Sequence, residues 1–184
     1  MNPWDDDIIE ETKQTLIDRL EKSDGKDFVK SLDNLRKIAP KLDDKEIDRL
    51  ARTVSERLGK ERHPLILRAS IAALGILTAG VTARITLEAI ARYPEKSPHW
   101  IWAPASEAML KLGWGSNFTK HFLASISNPE VALQKRVSIV ESVNAFSPLG
   151  RQLAKDRGMV EAALGRLEPP VRDALITLLN WARK

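Results

Sequence analysis

Hydrophobic positions fall at helical spacing along most of the chain, and the alternation expected of strands is nearly absent. Ile9, Leu16, Ile17 and Leu20 form one stripe behind a start signal: Asn2 as cap, Pro3 at the first helical position, and Asp5, Asp6 and Asp7 where the helix dipole favours anions. Ser23-Asp24-Gly25 is expected to end that helix. Phe28, Val29, Leu32, Leu35 and Ile38 make a second stripe, stopped at Ala39-Pro40 because a residue before proline resists the α region. A third helix opens on Asp43 and Glu46 as a capping box, lines Ile47, Leu50, Ala51, Val54 and Leu58 along one face, and is expected to close at Gly59. Each of the three keeps a broad polar face, the pattern of a small three-helix segment.

From Pro64 the pattern changes. Leu65 to Leu77 leaves almost no polar face, so this helix is expected to be covered on most sides, to close at Gly80, and to hand over to a helix capped by Thr82. Proline recurs as a start signal after His63, Ser97, Asn128, Ser147 and Pro169. Pro104 is expected to break or kink the helix that follows Ser97-Pro98, and Gly158 to end the one opened by Pro148. The stripe Val171, Leu175, Leu178 and Leu179 faces inward on the last helix, with Trp181 near its end. The fold class is all-α: about ten short helices, a three-helix segment followed by stacked antiparallel pairs.

Charge adds a boundary. Residues 1–62 carry 14 Lys+Arg against 16 Asp+Glu, and residues 63–184 carry 15 against 9. The first third is thus dense in both signs, whereas the rest is sparse and basic. This predicts a charged subdomain over 1–62 and a helical-repeat subdomain over 63–184. With 184 residues the chain is long enough to bury a core without staples, and it has no cysteine for disulfides or thiolate zinc sites. The acidic start has no secretory pattern, and the uncharged run Ala69 to Ala83 is shorter than the ~20 residues of a spanning helix. A cytoplasmic protein with no membrane partner is expected.

An internal repeat follows from the proline-marked starts. Arg68-Ala69-Ser70-Ile71-Ala72-Ala73-Leu74-Gly75-Ile76 lies in register with Pro104-Ala105-Ser106-Glu107-Ala108-Met109-Leu110-Lys111-Leu112, with small and large apolar residues matched. The run His63-Pro64-Leu65-Ile66-Leu67-Arg68-Ala69-Ser70-Ile71-Ala72-Ala73-Leu74-Gly75 resembles the second helix of a HEAT repeat: proline, a few residues, arginine, then alanines leading into leucine-glycine. The resemblance covers at most residues 63–184, with one well-matched unit at 63–80. It implies a HEAT-like α-solenoid of stacked helix pairs and an extended binding surface, and it implies no particular ligand.

Catalytic constellations are sparse. His63, His99 and His121 are far apart and match no ligand spacing, so surface or capping roles are the ordinary reading. The acidic clusters Asp5-Asp6-Asp7, Glu10-Glu11 and Asp43-Asp44 stand near helix starts, where the dipole explains them. Asp24-Gly25-Lys26-Asp27 lacks the oxygen ligands of a calcium loop, and Gly113-Trp114-Gly115 lacks the lysine and strand of a phosphate loop. No enzyme, metal or cofactor is expected.

Aromatics are unevenly placed: Tyr93, Trp100, Trp102, Trp114, Phe118 and Phe122 are six of the chain's ten. Trp100, Trp102 and Trp114 are therefore the candidate anchors for a protein partner, against the ordinary reading of a locally aromatic core. The leading functional expectation is a non-catalytic scaffold or adaptor binding another protein. The alternative is nucleic-acid binding, with Arg84, Arg92, Lys96, Lys111, Lys120, Lys135 and Arg136 meeting phosphates. A minor alternative is an enzyme resembling the HEAT-like DNA glycosylases, for which Glu107 near Trp100 and Trp102 is the candidate carboxylate.

Overall fold

A computed structural model describes residues 15–20 and 25–182. The expected start at Asn2-Pro3 and stop at Ser23-Asp24 lie outside the described residues. These are helical throughout, with turns between helices and no strand among them: α1 (15–20), α2 (Gly25–Ile38), α3 (Asp44–Lys60), α4 (Pro64–Ile76), α5 (Val81–Ala91), α6 (His99–Lys111), α7 (Gly115–Ser127), α8 (Leu133–Glu141), α9 (Pro148–Lys155), α10 (Arg157–Leu164) and α11 (Pro169–Trp181). The chain forms two compact units, one up to Leu87 and one from Glu88 onward.

In the first unit, α4 packs against both α2 and α3. The amphipathic stripes supply the buried residues: Leu16, Ile17 and Leu20; Phe28, Leu35 and Ile38; Ile47, Leu50, Ala51 and Val54; Ala69, Ile71, Ala73 and Leu74. Each large side chain fully buried there contributes on the order of 1.5–3 kcal/mol. The Arg57 guanidinium lies 4.6 Å from the centre of the Phe28 ring, capping the core with a cation on an aromatic face.

The capping box forms: Glu46 N–H donates to Asp43 Oδ1 at 2.8 Å, and Asp43 N–H donates to Glu46 Oε2 at 2.9 Å. Gly59 does not end α3, which runs through Lys60. The stop comes where the Glu61 carboxylate accepts the N–H groups of Arg62 and His63, each at 2.7 Å, ahead of Pro64. The charge transition lies at this connection, inside the first unit.

From Ala69 to Leu77 α4 is covered on most sides, as its pattern predicts, with no exposed residue in that stretch, while its first turn is open at Pro64 and Leu65. Thr82 is not the cap of α5, which begins one residue earlier. Its backbone N–H is instead satisfied by Asp48 of α3, at 3.0 Å, and the Thr86 and Ser55 hydroxyls meet at 2.8 Å one turn on. The bonds from Thr82 hold the Asp48 carboxyl below the usual carboxylate range.

In the second unit α7 is central, touching α6, α8, α9 and α10, and α11 packs on α8 and α9. Phe118, Thr119, Phe122, Leu123, Ser125 and Ile126 of α7 are all buried. Pro104 does not break α6. Its missing N–H would have reached only the Trp100 carbonyl in the first turn, and its ring lies on the exposed side of the helix. Gly113, at φ +83°, ends α6 in the left-handed conformation, with Trp114 N–H reaching back to the Met109 carbonyl at 3.2 Å.

Asn128-Pro129 opens a turn instead of a helix: Asn128 Oδ1 accepts Glu130 N–H at 3.0 Å, and α8 starts at Leu133. Gly158 lies inside α10. The break comes at Asp156, whose carboxylate accepts Thr119 Oγ1–H at 2.7 Å and Gln152 Nε2–H at 2.8 Å, pinning the chain between α9 and α10.

Candidate functional site

Two clefts open on opposite sides of α8, and both belong to the second unit. The first has a volume of about 330 Å3. One wall is a stripe of α8 and its C-cap residue, Lys135, Ser138, Ile139 and Ser142, at positions i, i+3, i+4 and i+7 so that all four share a face. The facing wall is Pro94, Lys96, Ser97, Pro98 and His99, from the short 3₁₀ turn Pro94–Lys96 and the start of α6. Trp102, 1 % exposed, forms the floor. Its ring meets the His99 imidazole edge-on at 5.5 Å and tilts against Phe122 at 6.4 Å, so the floor is continuous with the core. Partial desolvation lowers the His99 pKa against the opposing pull of Glu107.

The second cleft, about 410 Å3, is lined by Val140, Glu141, Val143, Ala145 and Phe146 on one side. On the other is the α11 stripe Ala174, Thr177, Leu178 and Trp181. Phe146 is 59 % exposed and Trp181 is 53 % exposed, so two aromatic rings rim an apolar groove. The loop that holds Phe146 is stitched at several points. Phe146 N–H donates to Asn144 Oδ1 at 2.8 Å, Ser147 Oγ–H donates to the Asn144 carbonyl at 2.7 Å, and Arg151 donates to the Phe146 carbonyl. Gly150 seats this loop at close quarters, since a Cβ there would stand 2.5 Å from the carbonyl oxygens of Asn144 and Ala145.

The candidate tryptophans divide. Trp102 and Trp114 are core side chains, Trp114 stacking on His121 at 5.4 Å, and Trp100 is half-buried. His121, like His99, is depressed in pKa, chiefly by burial and then by Arg92 and Lys120. Of the basic candidates, Lys96 and Lys135 come together in the first cleft. Lys111 and Lys120 are exposed outside both clefts, and Arg84 is exposed on α5. Arg92 pairs with Glu88, and Arg136 is 5 % exposed with Nη2 at 2.6 Å from Glu168 Oε1. Arg136 thus ties α8 to the start of α11 and is not presented to a ligand. Glu107 is half-buried.

Phe146, Ser138 and Ser142 were not singled out by sequence reasoning, and the one available signal was helical spacing. The lining residues of each cleft lie along one edge of the buried stripe, with which they share Ile139 on α8 and Leu178 on α11. Among the described residues no cluster of three or more His, Cys, Asp or Glu side chains is arranged to hold a metal, and no helix is long and apolar enough to cross a membrane. Comparison with protein-family models, curated proteins and solved structures returns no match. The class that the chain itself defines is an all-helical protein in which neighbouring helices pack on one another.

Proposed function

We propose that this chain is a non-catalytic binding protein, built on HEAT-like helix pairs, whose second unit docks an apolar segment of another protein. One observation carries the reading: an apolar groove between the end of α8 and α11 is rimmed by Phe146 and Trp181, two aromatic rings more than half exposed. Exposed aromatics beside a concave apolar surface are the usual anchors of protein recognition. Glu141 is the charged residue of the lining, so the occupant is an amphipathic segment, apolar side chains in the groove and a lysine or arginine reaching Glu141. The sequential packing of α6 on α7, α7 on α8 and α9 on α10 supports helix-pair stacking in the second unit.

Peptide display against the purified chain, with counter-selection on a Phe146→Asp variant, tests the reading. The expected result is enrichment of sequences with two or more large apolar residues at helical spacing and a flanking basic residue. Enrichment of none, or of peptides retained equally by Phe146→Asp, would contradict it. Nucleic-acid binding remains the second reading, favoured by the exposed lysines Lys96, Lys111, Lys120 and Lys135. It predicts an affinity that collapses with added salt, whereas apolar docking is nearly indifferent to it.

A further inference from the structure

We infer that the cleft between α8 and the start of α6 is a separate site for a small phosphorylated molecule, held by Lys96 and Lys135. The charge inventory carries this. Arg92, Arg136 and Arg157 of the second unit each hold a carboxylate, from Glu88, Glu168 and Glu161. Lys96 and Lys135, on facing walls of one cleft, pair with no carboxylate among the described residues, and no carboxylate lines the cleft. Glu95, next to Lys96 in the chain, is turned away: its Oε2 accepts the Ser125 hydroxyl at 2.6 Å. The Lys96 ammonium rests 4.1 Å from the centre of the Tyr93 ring, which positions the cation without neutralising it.

Two lysines in the lining of one cleft, with no carboxylate among the other lining residues, leave an uncompensated positive charge there that a dianion offsets. Hydroxyls complete the lining. Ser142 Oγ–H is spent on the Ile139 carbonyl at 2.8 Å, while Ser97 and Ser138 supply further donors to phosphate oxygens. The cleft's volume, about 330 Å3, suits a small metabolite-sized ligand, and the Trp102 floor offers its organic part an apolar surface. The site uses the face of α8 opposite Val140, Glu141 and Val143, so it stands independently of the apolar groove.

The test is titration of the full chain with inorganic phosphate at constant ionic strength, followed by amide NMR shifts. The expected result is saturable shifts at Lys96 to His99 and Lys135 to Ser142, with a Kd of about 1 mM or tighter. Lys96→Ala and Lys135→Ala should each weaken binding about fivefold or more, and Lys111→Ala, at an exposed lysine outside the cleft, should leave it unchanged. All three side chains are exposed, so the variants fold, and their unshifted spectra verify it. Shifts that grow without saturation, that spread over all exposed lysines, or that survive loss of both Lys96 and Lys135 would overturn the site. Binding of an oligonucleotide with no response to inorganic phosphate would overturn it too.

Discussion

The two units solve the same packing problem with different materials. The first is assembled from amphipathic helices whose buried faces are almost wholly aliphatic, with Phe28 the one large ring among the fully buried side chains of its described residues. The second centres on Trp102, Phe118 and Phe122, and its long-range polar pairs each start from a buried residue: Thr119 to Asp156, Ser125 to Glu95 and Arg136 to Glu168. The first unit's pairs, Thr82 to Asp48 and Ser55 to Thr86, instead join half-buried residues. Aliphatic stripes specify that helices pack and say little about which. Rings of fixed shape and buried donors that must meet their acceptors select particular partners. The second unit, held together this way, carries the two clefts beside α8, whereas a cleft of the first unit is a charged hollow along α3, lined by Asp44, Asp48, Arg49 and Arg52.

The largest effect expected is for Trp102→Ala, which should cost ~3–5 kcal/mol in denaturant unfolding, because it empties the junction of α6 and α7. Leu74→Ala in the first unit should cost ~2–5 kcal/mol, and a loss below ~1 kcal/mol would show that α4 is not central to that core. A sharper contrast comes from two hydroxyls. Thr119→Val removes a buried donor to the Asp156 carboxylate and should cost ~1–3 kcal/mol. Ser70→Ala loses only a bond to the Ile66 carbonyl of its own helix and should cost less than ~1 kcal/mol. Equal losses at the two sites would remove the distinction between the units.

Acid should separate them as well. His99 and His121 have lowered pKa values, so between those values and the usual ~6.5 the unfolded chain binds more protons than the folded one. Second-unit stability should therefore fall as pH drops through that window. In the first unit the shifted carboxylates are Asp48 and Glu61, both lowered, and the stability they contribute is lost only as pH falls below the ordinary carboxylate range. Amide exchange resolved by residue, at pH 7.5 and 5.5, should show the second unit loosening first. Simultaneous loosening would contradict the assignment.

Periodicity made the helices legible because it reports which face is buried, and in the first unit that was nearly sufficient. The Asp43–Glu46 box and the Ala39-Pro40 stop could be read directly. Misreadings cluster where a distant side chain decides a local outcome: Asp48 satisfies Thr82 N–H from another helix, and Asp156 breaks the chain through Thr119 and Gln152. Pro104 misled because its place in the first turns of α6 makes the lost hydrogen bond cheap. Of the clustered aromatics, Trp102 and Trp114 fill the core and Tyr93 is exposed, while the two most exposed rings of the described aromatics, Phe146 and Trp181, are each isolated in sequence. Exposure depends on which helix a residue faces, and spacing along one helix does not contain it.

The first unit offers its own exposed apolar residues, notably Val81 and Ile85 one turn apart on α5, with Ile85 62 % exposed. They line neither cleft, which makes them the natural control. Affinity for a groove-selected peptide, measured by calorimetry on the wild type, Phe146→Ala and Ile85→Ala, tests the docking claim most directly. Phe146→Ala should weaken binding about tenfold or more with unchanged thermal stability, and Ile85→Ala should leave it as it was. Unchanged binding in Phe146→Ala, or a greater loss in Ile85→Ala, would contradict the assignment of the docking surface to the second unit.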